Sequence, residues 1–435
     1  MTTSQQKKLA TRDVGHVMDP APRSYAPGVR LLHRHTFDLQ QQAKLAVEDV
    51  DKWLLGPASK LETAHALVVG FACRLACAGL GVDRMILNIG TLHPQAYGYA
   101  YHWNVLDGIC DEIQIGRDTL LSDAYRRNPI YRVIEFGEST RVKLDPKNLV
   151  GQGGLMAELA AAGFSEYVAV PLSTSGKKFN AVTLSTLQPD GFSDAQMEEL
   201  SRLFEIFALQ VERHIIGRIA QNISHTYLGQ MAGERVVEGT IQRGSGMSIQ
   251  AIVWSSDMRD FSGLSDQQDN LVVAEVLNGY FSVLAEAVID NGGDVLKFVG
   301  DGMLAVFPLD QFDSPQAAAR AATTAAREAV ESLASLNRDM QERGDWRDLR
   351  TGIGLHLGDV FFGNIGASKR LDFTVIGEAV NLATRVEGLC KVLKRDVLLT
   401  EPVAALVADE AEPMGEQELK GIQKAEAVYA LRDCA

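Results

Sequence analysis

Two aspartates in the second half of the chain stand where their chemistry could combine. The run Ile252-Val-Trp-Ser-Ser-Asp-Met-Arg-Asp-Phe261 reads as a strand that ends on Asp257. Further on, Asn291-Gly-Gly-Asp-Val-Leu-Lys-Phe-Val-Gly-Asp-Gly-Met-Leu-Ala-Val-Phe307 sets two alternating stretches around Gly300-Asp301-Gly302, a hairpin turn signal. If the hairpin lies beside the first strand, Asp257 and Asp301 meet. Two such carboxylates make a hard-oxygen site for Mg²⁺, which keeps waters and takes substrate phosphates as further ligands. Either aspartate alone reads as a turn or cap residue. A third segment, Gly377-Glu-Ala-Val-Asn-Leu-Ala-Thr-Arg385, puts Asn381 and Arg385 one helical turn apart on one face. An amide beside a guanidinium can hold a sugar oxygen and a phosphate oxygen.

The elements around these residues predict an α+β domain. From Ile249 short β-branched strands alternate with helices at about 267–290, about 315–340 and about 378–392, with mostly antiparallel pairing. Before it, Leu203, Phe207, Val211, Ile215, Ile219 and Ile223 recur every four residues and predict a long helix with one apolar face. That helix starts at Ser193 or Asp194 as N-cap. Arg243-Gly-Ser-Gly246 reads as a break after the connector. The first domain carries strand-like runs at 84–88, 98–103, 167–172 and 179–184.

The second domain closely resembles the class III nucleotide cyclase catalytic domain. The resemblance rests on the strand ending in Asp257, the Gly-Gly-x-x-x-Lys-x-x-Gly-Asp hairpin, Thr374-Val-Ile-Gly-Glu-x-Val-Asn-x-Ala-x-Arg385, and Glu418-Leu-Lys-Gly421. It implies a ferredoxin-like, palm-type fold over residues 249–431. It implies that Asp257 and Asp301, with the Met258 carbonyl, hold two Mg²⁺ or Mn²⁺ ions. By the same resemblance Asn381 orients the ribose, Arg385 stabilises the α-phosphate in the transition state, and Lys420 contacts the triphosphate. Lys297 and Thr374 occupy the family's base-reading positions. Lys297 can donate to an adenine ring nitrogen and Thr374 can accept from the amino group, whereas guanine calls for an acceptor in place of Lys297. The substrate is therefore expected to be ATP, and the product 3′,5′-cyclic AMP with pyrophosphate. The family shares each site across a dimer, so a homodimer is expected. Asp260 stands where the family usually has Gly. The readings set against this one are a non-catalytic nucleotide-binding module and a guanylate cyclase.

The closing Gly191-Phe-Ser-Asp and its long helix resemble the end of a GAF-type sensor. The organisation read from the sequence is a disordered lead over 1–27, a GAF-like α/β sensor domain over 31–212, a helical connector over 213–245 and the catalytic domain. An unidentified small-molecule effector is expected at the sensor. The aromatic run Tyr99, Tyr101, His102, Trp103 reads as strand packing, His33 and His35 as polar surface, and Cys73 and Cys77 as buried thiols rather than a redox pair.

Acidic residues outnumber basic ones 56 to 42, a net charge of −14, which disfavours nucleic acid and anionic membranes as partners. Five scattered cysteines suit a reducing cytoplasm. The stretch from Ala64 to Val82 is the one that invites a membrane reading, but it carries His65 and Arg74 and reads as a buried amphipathic helix.

Overall fold

A computed structural model describes residues 23, 25, 28–39, 42–145, 154–172, 180–342, 348–419, 425–432 and 434. Most of the expected lead lies outside these residues, and so does Lys420. Two residues of that lead are fixed: Arg23 bonds the Asp107 carboxylate at 2.7 Å, and the Tyr25 hydroxyl donates to Asp111. The chain forms two compact units, Met1–Ile223 and Ser224–Ala435.

In the first unit seven strands form one sheet in the order β1-β4-β3-β2-β7-β6-β5. They are β1 (Val29–Thr36), β2 (Arg84–Gly90), β3 (Ala96–Asn104), β4 (Ile109–Gly116), β5 (Thr140–Lys143), β6 (Glu166–Leu172) and β7 (Asn180–Thr186). Every pairing is antiparallel. Helices α1 (Val47–Leu55), α2 (Ala64–Cys77), α3 (Asp123–Arg127), α4 (Ile130–Phe136), α5 (Leu155–Ala161) and α6 (Asp194–Leu228) surround it. Strand alternation sends Met85, Leu87, Tyr101, Trp103, Val182 and Leu184 to one face, where they share a core with α1, α2 and α6. Tyr99, Tyr101 and Trp103 are therefore packing residues, as expected. Ser193 caps α6: its hydroxyl accepts from the Gln196 amide at 3.2 Å, and the Gln196 side chain accepts from the Ser193 amide at 2.9 Å. The apolar stripe of α6 is buried at Leu203, Phe207, Val211 and Ile215, and Ile223 is exposed. Further along α6, Arg218 pairs with Glu112 and lies 4.1 Å over the Tyr99 ring, and Asn222 donates to Thr91 at 2.9 Å. His33 also contacts Glu112, at 3.1 Å.

Helix α6 ends before Gly229, and α7 (Gln230–Val237) follows. The expected connector is thus two helices with a glycine between them. The second unit continues with β8 (Gly246–Met258), α8 (Phe261–Gln267), α9 (Asn270–Asp290), β9 (Asp294–Val299), β10 (Gly302–Pro308) and α10 (Pro315–Glu342). Then come β11 (Thr351–Ala367), β12 (Arg370–Ile376), α11 (Glu378–Leu393), β13 (Val397–Thr400), α12 (Glu401–Ala404), β14 (Ala411–Gln417) and β15 (Glu426–Leu431). The sheet order β14-β15-β13-β11-β8-β10-β9, with β12 on β11, contains the βαββαβ plan in its last four strands. One pair, β11 with β13, is parallel. Helices α9 and α10 cover one face through Tyr280, Leu284, Ala322 and Ala326 against Trp254, Phe307 and Leu355. Helices α7 and α11 cover the other through Ala232, Ala379 and Ala383 against Ala251, Val253 and Phe362.

Among the described residues the helix long and apolar enough to cross a membrane is α9, with a mean hydropathy of 1.6, rather than the Ala64 to Val82 stretch. Its Val276, Tyr280, Leu284 and Val288 belong to the core of the second unit.

Candidate active site

Asp257 comes to the site because β8 runs antiparallel to both β10 and β11. It stands opposite Gly302 of β10 and Gly352 of β11. The turn Gly300-Asp301 joins β9 to β10, with Gly300 at φ 64, a conformation glycine adopts without strain. Asp301 thus lies next to Asp257, and the two side chains interact. Burial pushes the Asp257 carboxyl up to about 6, and the neighbouring Asp301 charge adds to the shift. Gly302 leaves the space open, since a Cβ there would lie 3.3 Å from Asp257 Oδ1. Met258 follows Asp257 and closes β8 with its side chain buried.

These residues fit hard divalent cations. Two neighbouring carboxylates gain by sharing a cation between their negative charges. Among the described residues no group of three or more His, Cys, Asp or Glu side chains is built to hold a metal. The remaining ligands would be water, the Met258 carbonyl and phosphate oxygens, which suits Mg²⁺ or Mn²⁺ better than Zn²⁺.

The other expected residues differ in how far they are committed. Asn381 and Arg385 both lie on α11; Asn381 is exposed and Arg385 half-buried. Thr374 on β12 is 5% exposed, and its hydroxyl has no hydrogen-bond partner. A buried hydroxyl left this way costs about 1–3 kcal/mol unless a ligand meets it. Lys297 on β9 is held: its Nζ lies 2.8 Å from Asp372 Oδ2. Lys420 cannot be placed among them.

Several contacts here have no local signal in the sequence. Arg259 Nη1 pairs with Glu387 Oε1 at 3.1 Å, beside Asp257. Its guanidinium fills the space over Gly352, where a Cβ would lie 1.5 Å from Nη2. Burial pushes Glu387 up to about 7, against the pull of Arg259. Asp260 sits at φ 59, which explains why glycine suits that position. Its charge is met by Lys391 at 3.2 Å and Arg350 at 3.5 Å, so it is turned to cations of the chain rather than left bare beside the acidic pair.

The first unit carries a polar sheet face opposite its helical core. Arg84 pairs across β2 and β7 with Ser185, and Ser185 with Tyr167 on β6; Thr183 stands opposite Ile86. Arg84, Tyr167, Thr183 and Ser185 are each at most 3% exposed. Ser185 Oγ and Asn88 Nδ2 have no hydrogen-bond partner, and the Tyr167 and Thr183 hydroxyls face each other without meeting hydrogen-bond geometry. Cys73, Cys77, Cys110 and Cys390 form no disulfide, and burial raises Cys73 and Cys77 above the ordinary thiol range.

Residues 248–433 match the family described as the adenylate and guanylate cyclase catalytic domain. The chain is similar to an adenylate cyclase of Anabaena cylindrica, with 30% identity over 38% of this chain and 32% of that protein. It is similar to adenylate cyclase 1 of Rhizobium meliloti, with 31% identity over 40% of this chain and 26% of that one. The chain thus spans about a third or less of the length of these relatives. A solved structure of the adenylyl cyclase CyaB from P. aeruginosa aligns with 44% of this chain and 97% of its own, at 25% identity and a TM-score of 0.41.

Proposed function

We propose that this protein is an adenylate cyclase that converts ATP to 3′,5′-cyclic AMP and pyrophosphate. The observation that carries the reading is the Asp257–Asp301 pair at the β8 end and the β9–β10 turn, within a domain of this family. Asp257 and Asp301, with the Met258 carbonyl, would hold two Mg²⁺ or Mn²⁺ ions. Bound there, such ions lower the pKa of the ribose 3′-hydroxyl and offset triphosphate charge.

The chain's own residues do the rest. Lys297 donates to an adenine ring nitrogen, and the orphaned Thr374 hydroxyl accepts from the exocyclic amino group. Asn381 fixes the ribose so that the 3′-oxygen faces the α-phosphorus in line. The new bond joins that oxygen to phosphorus, the bond to the bridging oxygen breaks, and pyrophosphate leaves. Arg385, without a hydrogen-bond or ion-pair partner among the described residues, meets the charge that develops on the α-phosphate. Lys420 is assigned to the triphosphate by resemblance. No side chain stands as general base, so the 3′-proton passes to water or substrate.

The active unit in this reading is a homodimer with two composite sites. Exposed Phe298, Val299 and Ile376 flank Lys297 and Thr374 and support a second copy closing over them. The first unit is read as a sensor domain and 213–245 as its connector. The buried polar face around Ser185 supports a small polar effector as its ligand. The free thiols support a cytoplasmic setting. Purified protein with Mn²⁺ and either ATP or GTP tests the reading: cyclic AMP is expected, and cyclic GMP alone or no product would overturn it.

A further inference from the structure

Helix α7 starts without a cap of its own. Its N-cap residue is Gly229, at φ 83, which has no side chain to meet the first amides. They are met from a strand more than sixty residues away. Asp294 Oδ1 accepts from the Gln230 amide at 2.9 Å, and Oδ2 accepts from the Met231 amide at 3.1 Å. Asp294 is 6% exposed, so the contact is shielded from water and salt. Glycine is required at 229, because a Cβ there would lie 2.5 Å from the Val295 carbonyl oxygen and 3.0 Å from Asp294 Oδ1. Glu234 on α7 and His225 at the end of α6 are the charged groups that act on the carboxylate.

Packing repeats this link. Ala232 of α7 is fully buried in a cluster with Leu296 of β9, Ile249 and Ala251 of β8, and Ala379 and Ala383 of α11. One small core therefore joins α7 to the strand that carries Lys297 and to the helix that carries Asn381 and Arg385. The ladder between β9 and β10 is irregular between Leu304 and Ala305, opposite the stretch from Lys297 to Val295. One residue, Leu296, is left out of the pairing there, and its side chain packs in the cluster that holds Ala232 of α7.

We infer that Asp294 is a positioning residue: by clamping the start of α7 it fixes strand β9, and so fixes where the Lys297 ammonium meets the nucleotide base. The inference rests on the cyclase reading. In this inference a change in the path of the chain at Gly229 reaches Lys297 through this carboxylate together with the Ala232–Leu296 packing.

Full-length protein is used for the test. Asp294→Ala should raise KM for ATP about tenfold while kcat changes less than about threefold, because a base contact used equally in ground and transition states is weakened. Asp294→Asn, which keeps one acceptor oxygen, should give an intermediate KM. Gly229→Ala keeps the carboxylate but drives α7 off Val295, and should raise KM as Asp294→Ala does. A merely structural role would lower kcat with the folded fraction and leave KM alone in all three variants. Amide hydrogen exchange gives a second readout: residues 230–237 and 294–299 should lose protection together in Asp294→Ala. An unchanged KM, or full protection of 294–299, would overturn the clamp. Wild-type protein that turns over neither ATP nor GTP would overturn the cyclase reading instead, and the exchange result would still decide whether Asp294 joins the two segments.

Discussion

The ammonium of Lys297 on β9 lies 2.8 Å from the carboxylate of Asp372 on β12, two positions before Thr374. In the proposed reading, the side that meets the base is therefore pre-arranged by an ion pair between strands. Both side chains are partly open to water, so the pair adds only about 0–1 kcal/mol to stability. Its use is directional. Asp372→Ala should leave Tm within about 2 °C and raise KM for ATP by about threefold to tenfold. Steady-state kinetics beside thermal melts check this, and an unaltered KM would mean that Lys297 is aimed by something else.

Among the described residues, neither Arg385 nor Asn381 has a side-chain hydrogen bond or ion pair. Arg385→Ala should cut kcat by about 10²-fold with KM little changed, the pattern of a group whose contribution appears in the transition state. Melting temperature should stay at the wild-type value. A variant that loses kcat and Tm together would assign Arg385 to the fold.

Asp257 supplies a pH dependence whose sign is fixed by its raised value of about 6. The folded, metal-free chain binds this proton more tightly than the unfolded chain does. That contribution to stability is present at low pH and is lost as pH rises from about 4, the ordinary carboxylate value, to about 6. Asp257→Asn should therefore melt higher than wild type in chelator at pH 7.5, while losing turnover. Below about pH 6, protons compete with the cation in the wild type, so half-saturating Mn²⁺ should climb by up to about tenfold per pH unit. A lower melting point for Asp257→Asn in chelator would contradict this account.

Ser185 tests the polar face of the first unit. Its buried hydroxyl has no partner, so Ser185→Ala should stabilise the ligand-free protein by about 1 kcal/mol. The same change should weaken any effector that moves the activity of the wild type. Urea denaturation reads the first effect, and destabilisation would mean that the hydroxyl is already satisfied.

What the sequence made legible was local. Gly300-Asp301-Gly302 signalled its hairpin through turn chemistry, and the spacing of Asn381 and Arg385 gave their shared helix face. The apolar stripe from Leu203 gave α6, although not its stop at Gly229, since a glycine inside a helical pattern is weak punctuation. The pairs Lys297–Asp372, Arg259–Glu387 and the Asp294 cap on α7 join positions far apart in the chain. Their proximity follows from strand register and helix docking, which no short window encodes. The orphaned hydroxyls of Thr374 and Ser185 were hidden for the same reason: burial on a particular sheet face depends on what covers it. Asp260 stood out in the sequence as a departure from the family's glycine, but only the structure gives its left-handed backbone and its partners Lys391 and Arg350.

The most direct measurement is product formation by the purified 435-residue chain with Mn²⁺, offered ATP and GTP separately, alongside Asp301→Ala. The account predicts cyclic AMP and pyrophosphate from ATP, far less cyclic GMP from GTP, and no turnover in the variant. Cyclic GMP as the main product, or equal activity in Asp301→Ala, would contradict it.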